Sequence, residues 1–279
     1  MFKKILIANR GEIAVRVIRT CREMGIKTVA VFSEADRTSP HVLKANEAYC
    51  VGPPTSEKSY LNTEKLLKIM KLTGADAVHP GYGFLSENAD FANLVTKAGA
   101  IWIGPPCSAI TTMGDKMAAR KLAEKLGVPV IPGTTKPLHN LQTAKKIAAK
   151  IGYPILIKAA GGGGGKGMRI VKSPSKLANA MERAKSEANK AFSDDRIFIE
   201  KYLEQPHHIE IQVIADNQGN VVSLGERECS IQRRYQKIIE ETPSPFIDSN
   251  LRETLSQSSR QITRACKYSG AGTVEFIVD

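Results

Sequence analysis

The stretch IKAAGGGGGKGMRIV, residues 157–171, decides how the chain is read. Gly161, Gly162, Gly163, Gly164 and Gly165 run consecutively, Lys166 and Gly167 follow, and apolar runs flank them on both sides. A glycine inside an element costs roughly 0.5–1 kcal/mol relative to alanine, so five together require a reason. Without Cβ atoms, successive backbone N–H groups can fold over phosphate oxygens, and Lys158 and Lys166 add positive charge beside them. The spacing is not that of a Walker loop, which needs Ser or Thr after its Lys and opens a helix. Here Met168 comes next, and both flanks read as strands. We therefore expect a glycine hairpin that closes over a nucleotide. A flexible linker is the alternative, and it fits poorly between two buried strands.

Working outward, the pattern predicts helix 141–151, strand PILIKAA, strand MRIVKS, helix 174–190 and strand IFIEKYL, with a helix around 114–126 before them. Toward the C-terminus HHIEIQVIAD alternates: Ile209, Ile211, Val213 and Ala215 face a core, while His208, Glu210 and Gln212 line the other face. A turn at 216–220 joins it to strand 221–226, and a helix near 248–268 and strand GTVEFIVD follow. Toward the N-terminus, strands KKILIA, KTVAVF, DAVHPG and AIWIGP alternate with helices, one of them carrying Ile13, Val17, Cys21 and Met24 on one face. Such alternation predicts a parallel sheet with helices on both faces and ligand loops beyond the carboxyl ends of its strands. Residues 9–12 and 79–88 fall at that edge.

The 279 residues suggest about two domains. At 42% hydrophobic and 24% charged, the composition excludes a disordered tail, a collagen-like fibre or a disulfide miniprotein. Cys21, Cys50, Cys107, Cys229 and Cys266 lie far apart, which argues against a disulfide framework or a zinc site. Neither a signal-peptide core nor an apolar run of about 18 residues is present, so a soluble, cytoplasmic protein is expected. The net charge of +12 is concentrated: residues 113–190 hold 16 Lys/Arg and 4 Asp/Glu. A phosphate-rich ligand or polyanion should bind there. Nucleic acid is disfavoured, because that segment holds a single aromatic residue, Tyr153, and so lacks a series of stacking platforms.

Individual residues sharpen the reading. At Glu200, Lys201, Tyr202 and Leu203 a strand runs out, and its backbone could read a purine edge. Gln232, Arg233, Arg234, Gln236 and Lys237 form a dense cluster able to hold an oxyanion, the alternative being a solvated basic turn. Glu275, pointing opposite to Val274 and Phe276, could meet a hard cation, although one carboxylate is not a site. NRGEIA has one glycine where a dinucleotide fingerprint needs three. His79, before Pro80, reads as a structural histidine rather than a catalytic acid.

Taken together, ILIANRGEIAVRVIR, HPGYGFLSEN, GDKMAAR, the glycine run, EKYLE, HIEIQV, GERECSIQRRYQK, EETPSP and GTVEF resemble biotin carboxylase, and they occur in that family's order along all 279 residues. The glycine loop alone would indicate only the wider ATP-grasp superfamily. The resemblance implies an α/β fold: a Rossmann-like parallel sheet over 1–112, then an ATP-grasp domain whose first part, 113–203, carries the lid and whose second part, 204–279, is incomplete. It implies ATP with Mg²⁺ (or Mn²⁺) as cofactors, bicarbonate, and biotin presented by a carboxyl carrier protein or domain. A carboxyltransferase would be a further partner, and the full-length protein would form a homodimer. By the same resemblance Lys116 and Lys158 would contact phosphates and Gly161 to Gly167 would close as a lid. Glu200, Lys201, Tyr202 and Leu203 would surround adenine, and His208, Gln232 and Tyr235 would border the nucleotide. Lys237 would hold bicarbonate or carboxyphosphate, and Glu275 would take the metal. Tyr235 stands where many family members have histidine, so only a phenol's hydrogen bond is expected of it. The family chain continues past Asp279 with further metal- and bicarbonate-binding residues, so residues 1–279 alone are expected not to turn over.

Overall fold

In the computed structural model, residues 1–160, 167–233 and 236–279 are described. The expectations for Gly161, Gly162, Gly163, Gly164, Gly165, Lys166, Arg234 and Tyr235 lie outside the described residues. The chain divides into two compact units, Met1–Ile110 and Thr111–Asp279.

The first unit follows from runs of apolar residues too short for helices and buried on both faces. β1 (Lys4–Ile7), α1 (Gly11–Glu23), β2 (Lys27–Ser33), α2 (Pro40–Lys44), β3 (Glu47–Gly52), α3 (Thr63–Thr73), β4 (Ala77–His79), α4 (Ala89–Lys97) and β5 (Ile101–Trp102) build it. The five strands are parallel in the order β3-β2-β1-β4-β5. Leu6 joins one core with Val29, Leu66 and Phe91, whereas Ile5 and Ile7 join another with Ala14, Val17 and Ile18. Helices therefore cover both faces, as the alternation predicts. β3 was not expected. It is an edge strand with only Val51 buried, so it shows no period-2 signal.

The helix expected around 114–126 is α6 (Lys116–Lys125), and α5 (Cys107–Gly114), which the sequence reading did not assign, precedes it. Asp115 separates them, its carboxylate accepting from the N–H groups of Met117 and Ala118 at 2.9 Å as the cap of α6.

In the second unit α7 (Leu141–Ile151), β6 (Ile155–Ala159), β7 (Arg169–Val171), α8 (Leu177–Phe192) and β8 (Ile197–Lys201) form one layer pair. The antiparallel sheet has the order β7-β6-β8. Ile155, Ile157, Ile197 and Ile199, all fully buried, meet Ala144, Ala148, Leu177 and Met181 of α7 and α8. Each such side chain contributes about 1.5–3 kcal/mol of burial, enough to fix which face looks away from the helices. Leu156, Lys158, Phe198 and Glu200 occupy that other face. The segment VPVIPG, which had no assigned element, lies along β8: Thr134 N–H donates to Ile199 O (2.9 Å) and Lys201 N–H to Pro132 O (2.7 Å).

β9 (His207–Ala215), β10 (Val221–Arg233), β11 (Gln236–Glu241), α9 (Ser249–Ala265) and β12 (Gly270–Val278) complete the unit. The sheet is antiparallel in the order β11-β10-β9-β12. Ile209, Ile211 and Val213 pack with Leu255 of α9, so Glu210 and Gln212 emerge on the opposite face. That face is not simply solvated, since Glu210 is buried. β10 runs through Arg233, longer than the strand ending at 226, and it pairs with β11 where a basic turn was the alternative. Among the described residues no helix is long and apolar enough to cross a membrane.

Candidate functional site

β6 and β8 carry the first half of the site. Lys158 Nζ lies 2.5 Å from Glu200 Oε2, and Arg120 of α6 reaches Glu200 Oε1 at 3.2 Å. Arg120 also donates to Ile131 O and pairs with Glu124, tying α6 to the sheet. Lys116, one turn earlier on the same helix, has no carboxylate within salt-bridge distance among the described residues. Burial pulls its ammonium below the usual lysine value, and the neighbouring Lys158 adds to that while Glu200 opposes it. The result is two half-buried lysines side by side, of which only Lys158 is paired with a carboxylate. Such an arrangement gains an anion's charge cheaply.

At the end of β8 the sequence-predicted residues separate. Lys201 turns its Nζ to Gly152 O and Tyr153 O at 3.1 Å, and the N–H groups of Lys201 and Tyr202 are taken by Pro132 O and Pro154 O. Among the described residues the Leu203 N–H has no partner. Gly167, beyond the glycine run, adopts φ +73°, and a Cβ there would stand 3.0 Å from Ala159 Cβ, so both conformation and space demand glycine.

The second half is a row across three strands. Arg227 of β10 and Glu275 of β12 both stand in register with Glu210 of β9. Glu210 accepts from Arg227 and from Lys237 of β11, and Lys237 also donates to Glu275 Oε1 at 2.5 Å. Burial alone would push the Glu210 carboxyl up, but Lys237 and Arg227 outweigh it and hold it below the usual carboxylate value. Burial alone would likewise pull Lys237 down, and its hydrogen bonds to Glu210 and Glu275 instead hold the ammonium above its ordinary value.

His208 borders both halves. Burial holds its imidazole below the ordinary value, with Glu275 opposing and Lys237 and Lys158 reinforcing the shift. The backbone N–H of His208 donates to Ser230 Oγ at 2.9 Å, and Ser230 donates to buried Glu228, which also accepts from Ser244 Oγ at 2.8 Å. Gln232 spends its amide N–H on Cys229 O at 2.9 Å.

Glu210, Cys229 and Glu240 place ligand atoms within 4.8 Å of one another. They do not make a metal centre: Glu210 is already paired with two cations, and burial pushes the Cys229 thiol up to about 11. In the first unit His79 Nδ1 accepts from Gly81 N–H at 2.9 Å, the satisfied structural histidine that was expected.

The sequence reading did not assign Arg120, Arg227 or Glu228 a part. Arg120 was visible as i+4 from Lys116 within GDKMAAR, but its partner lies 80 residues away. Glu210 was visible as an acid set in an alternating apolar strand.

Two family models match. Residues 1–110 fit the biotin carboxylase N-terminal domain, and residues 115–279 fit the ATP binding domain of the carbamoyl-phosphate synthase L chain. Biotin carboxylase 1 of Bacillus subtilis is 52% identical over 279 residues, covering 100% of this chain and 62% of that protein. The propionyl-CoA carboxylase alpha chain of Ruegeria pomeroyi is also 52% identical, with 41% of its length covered. A crystal structure of a biotin carboxylase–β,γ-ATP complex from Campylobacter jejuni superposes with a TM-score of 0.97 at 46% identity, covering all of this chain and 63% of that one. The biotin carboxylase domain dimer of Hydrogenobacter thermophilus 2-oxoglutarate carboxylase, in complex with MgADP, ADP and bicarbonate, gives 0.95 at 47%, covering all of this chain and 61% of that one. The chain thus spans less than two thirds of each of these proteins. With a parallel α/β unit, an ATP-grasp unit and both family matches in chain order, it belongs to the biotin carboxylase family.

Proposed function

We propose that the protein uses Mg²⁺-ATP to phosphorylate bicarbonate and passes the carboxyl group of the resulting carboxyphosphate to N1 of a carrier-bound biotin, releasing ADP and phosphate. The supporting observation is the convergence, within one unit, of Lys116, Lys158 and Glu200 with Lys237, Glu210 and Glu275.

The donor set fits these groups. Lys116 lacks a close counter-ion, so a phosphate oxygen would restore its charge balance. The free Leu203 N–H suits a purine ring nitrogen, with Glu200, Lys201 and Tyr202 around it. Glu275, with 64% of its side chain exposed, is the carboxylate available to a hard cation. Mg²⁺, or Mn²⁺ in its place, would supply charge neutralisation at the phosphoryl oxygens. Lys237 stays protonated and offers bicarbonate a positive donor. Its contact with exposed Glu275 is weaker than that with buried Glu210, so Glu275 is the one that yields to an incoming anion. His208, neutral near pH 7, and Gln232 would border the nucleotide by hydrogen bonding. Tyr235 would add a phenol, and Gly161 to Gly167 with Lys166 would cover the phosphates. We read residues 1–112 as the N-terminal domain, 113–203 as the lid-bearing part and 204–279 as the second part of the ATP-grasp domain. The partners would be a biotin carboxyl carrier and a carboxyltransferase in the cytoplasm, with homodimers formed by the longer protein.

The test is bicarbonate-dependent phosphate release from Mg²⁺-ATP, with residues 1–279 alone and joined to the remaining part of the B. subtilis relative. Stimulation by biotin in the joined protein, lost in Lys237→Gln, is the expected result. Release that ignores biotin but answers to ammonia would replace the proposal with a carbamoyl-phosphate-type ligase, the reading that the name of the 115–279 match keeps open.

A further inference from the structure

Residues 136–192 hold twelve Lys/Arg and two Asp/Glu. The sheet β7-β6-β8 sorts them by face. Lys158 looks toward Glu200, on the side proposed for the nucleotide. Because α7 and α8 bury Ala144, Ala148, Leu177 and Met181 against the opposite face, their polar residues look outward. Lys145, Lys146 and Lys150 of α7 and Arg183 and Lys190 of α8 are all exposed there. None of these five has an ion pair among the described residues, and α7 contains no acidic residue. A nucleotide on the far side of the sheet does not account for them.

A groove of about 730 Å³ opens within this surface, lined by Arg169, Glu182, Arg183, Ser186, Glu187 and Lys190. One wall is neutralised by the Arg169–Glu187 pair at 2.5 Å, which leaves Arg183 and Lys190 against Glu182, a net charge of +1 in the groove. The mixed lining discriminates between polyanions. A nucleic-acid strand presents phosphates at every step and needs stacking platforms, and among the described residues no aromatic side chain lines the groove to stack a base. A peptide carries carboxylates at intervals, with backbone amides between them that suit Ser186 and the two glutamates.

We propose that the outer face of α7 and α8, centred on the groove from Arg169 to Lys190, is a docking surface for an acidic segment of a partner protein. Several like charges on one rigid face steer such a segment and set its orientation.

The experiment uses the full chain and a fluorescein-labelled twenty-residue polyglutamate as probe, titrated at 50 and 150 mM salt. K146E/K150E/R183E should weaken binding at least tenfold, and the neutral set K146Q/K150Q/R183Q by a smaller factor. The control K58E/K68E/K71E, which reverses three exposed lysines of the first unit, should change it less than twofold. Unaltered melting temperatures certify folding of all three. A 20-base-pair DNA duplex should bind more weakly than the peptide. Equal losses in the α7/α8 and control variants, no saturable peptide binding at 50 mM salt, or tighter binding of the duplex would each overturn the proposal.

Discussion

Glu210 holds two cations at once, and its environment decides what its loss would do. Its side chain is 7% exposed, whereas Glu275, the other partner of Lys237, has 64% of its side chain in solvent. Removing the charge from a buried pair strands its partners, so Glu210→Gln should cost about 2–3 kcal/mol, tempered by the partial exposure of Arg227 and Lys237. Glu275→Gln should cost less than about 1 kcal/mol, as for a surface pair. Urea unfolding measures both, and equal costs would refute the ranking. The pH dependence has a definite sign. Glu210 is held below its ordinary value, so its contribution is present above the normal carboxylate range and is lost as pH falls through the depressed folded value. His208 is also held low, but as a base. The unfolded chain takes up the proton more readily, so stability is full above the ordinary imidazole value of about 6.5 and declines as pH falls below it. His208→Gln should therefore narrow the gap in urea midpoint between pH 8 and pH 5.5, and an unchanged gap would reject the role of burial. Lys158 and Lys237 could be singled out in the sequence from the charges around them, whereas Lys116 and a metal-binding role for Glu275 came only from the family resemblance. The clamps around them were not legible, because Arg120–Glu200 and Lys237–Glu275 join residues 80 and 38 positions apart.

Elements were legible where packing imposes a period and illegible where it does not. β6, β8 and β9 could be read because alternate residues meet a helix layer, and α1 because Ala14, Val17, Ile18 and Cys21 face one core. β3 has a single buried residue, and the segment 132–134 is held to β8 by backbone bonds that leave no side-chain pattern. Position 133 shows what that close approach requires. A Cβ on Gly133 would lie 2.6 Å from Ile199 O and 3.1 Å from Glu200 Cα, both backbone atoms that cannot swing aside. Gly133→Ala should push the segment off β8 and destabilise by about 1–3 kcal/mol, the range for overpacking a filled site. Because Glu200 follows Ile199 on β8, nucleotide affinity should fall as well. Calorimetric titration with Mg²⁺-ATP alongside thermal melting checks both, and a variant with wild-type Tm would show that the strand accommodates the methyl group.

Across the whole molecule the separate cores of 1–110 and 111–279 lead us to expect that the proposed nucleotide binding acts on one unit only. Every residue proposed to touch the nucleotide, from Lys116 to Glu275, belongs to the second unit. A ligand that binds only the folded state adds about 2.7 kcal/mol at 100 times its Kd. For amides that exchange only when their unit opens, that free energy corresponds to about a 100-fold slower exchange. Fully buried strand residues are the proper reporters: Ile157 and Ile199 in the second unit, Leu6 and Val29 in the first. With saturating Mg²⁺-ATP, the amides of Ile157 and Ile199 should slow about 100-fold, while those of Leu6 and Val29 change less than about twofold. Hydrogen exchange followed by mass spectrometry resolves the two sets in one sample. Equal slowing in both would mean that the units open together, and slowing in neither would remove the nucleotide from the Lys116–Lys158 side of the sheet.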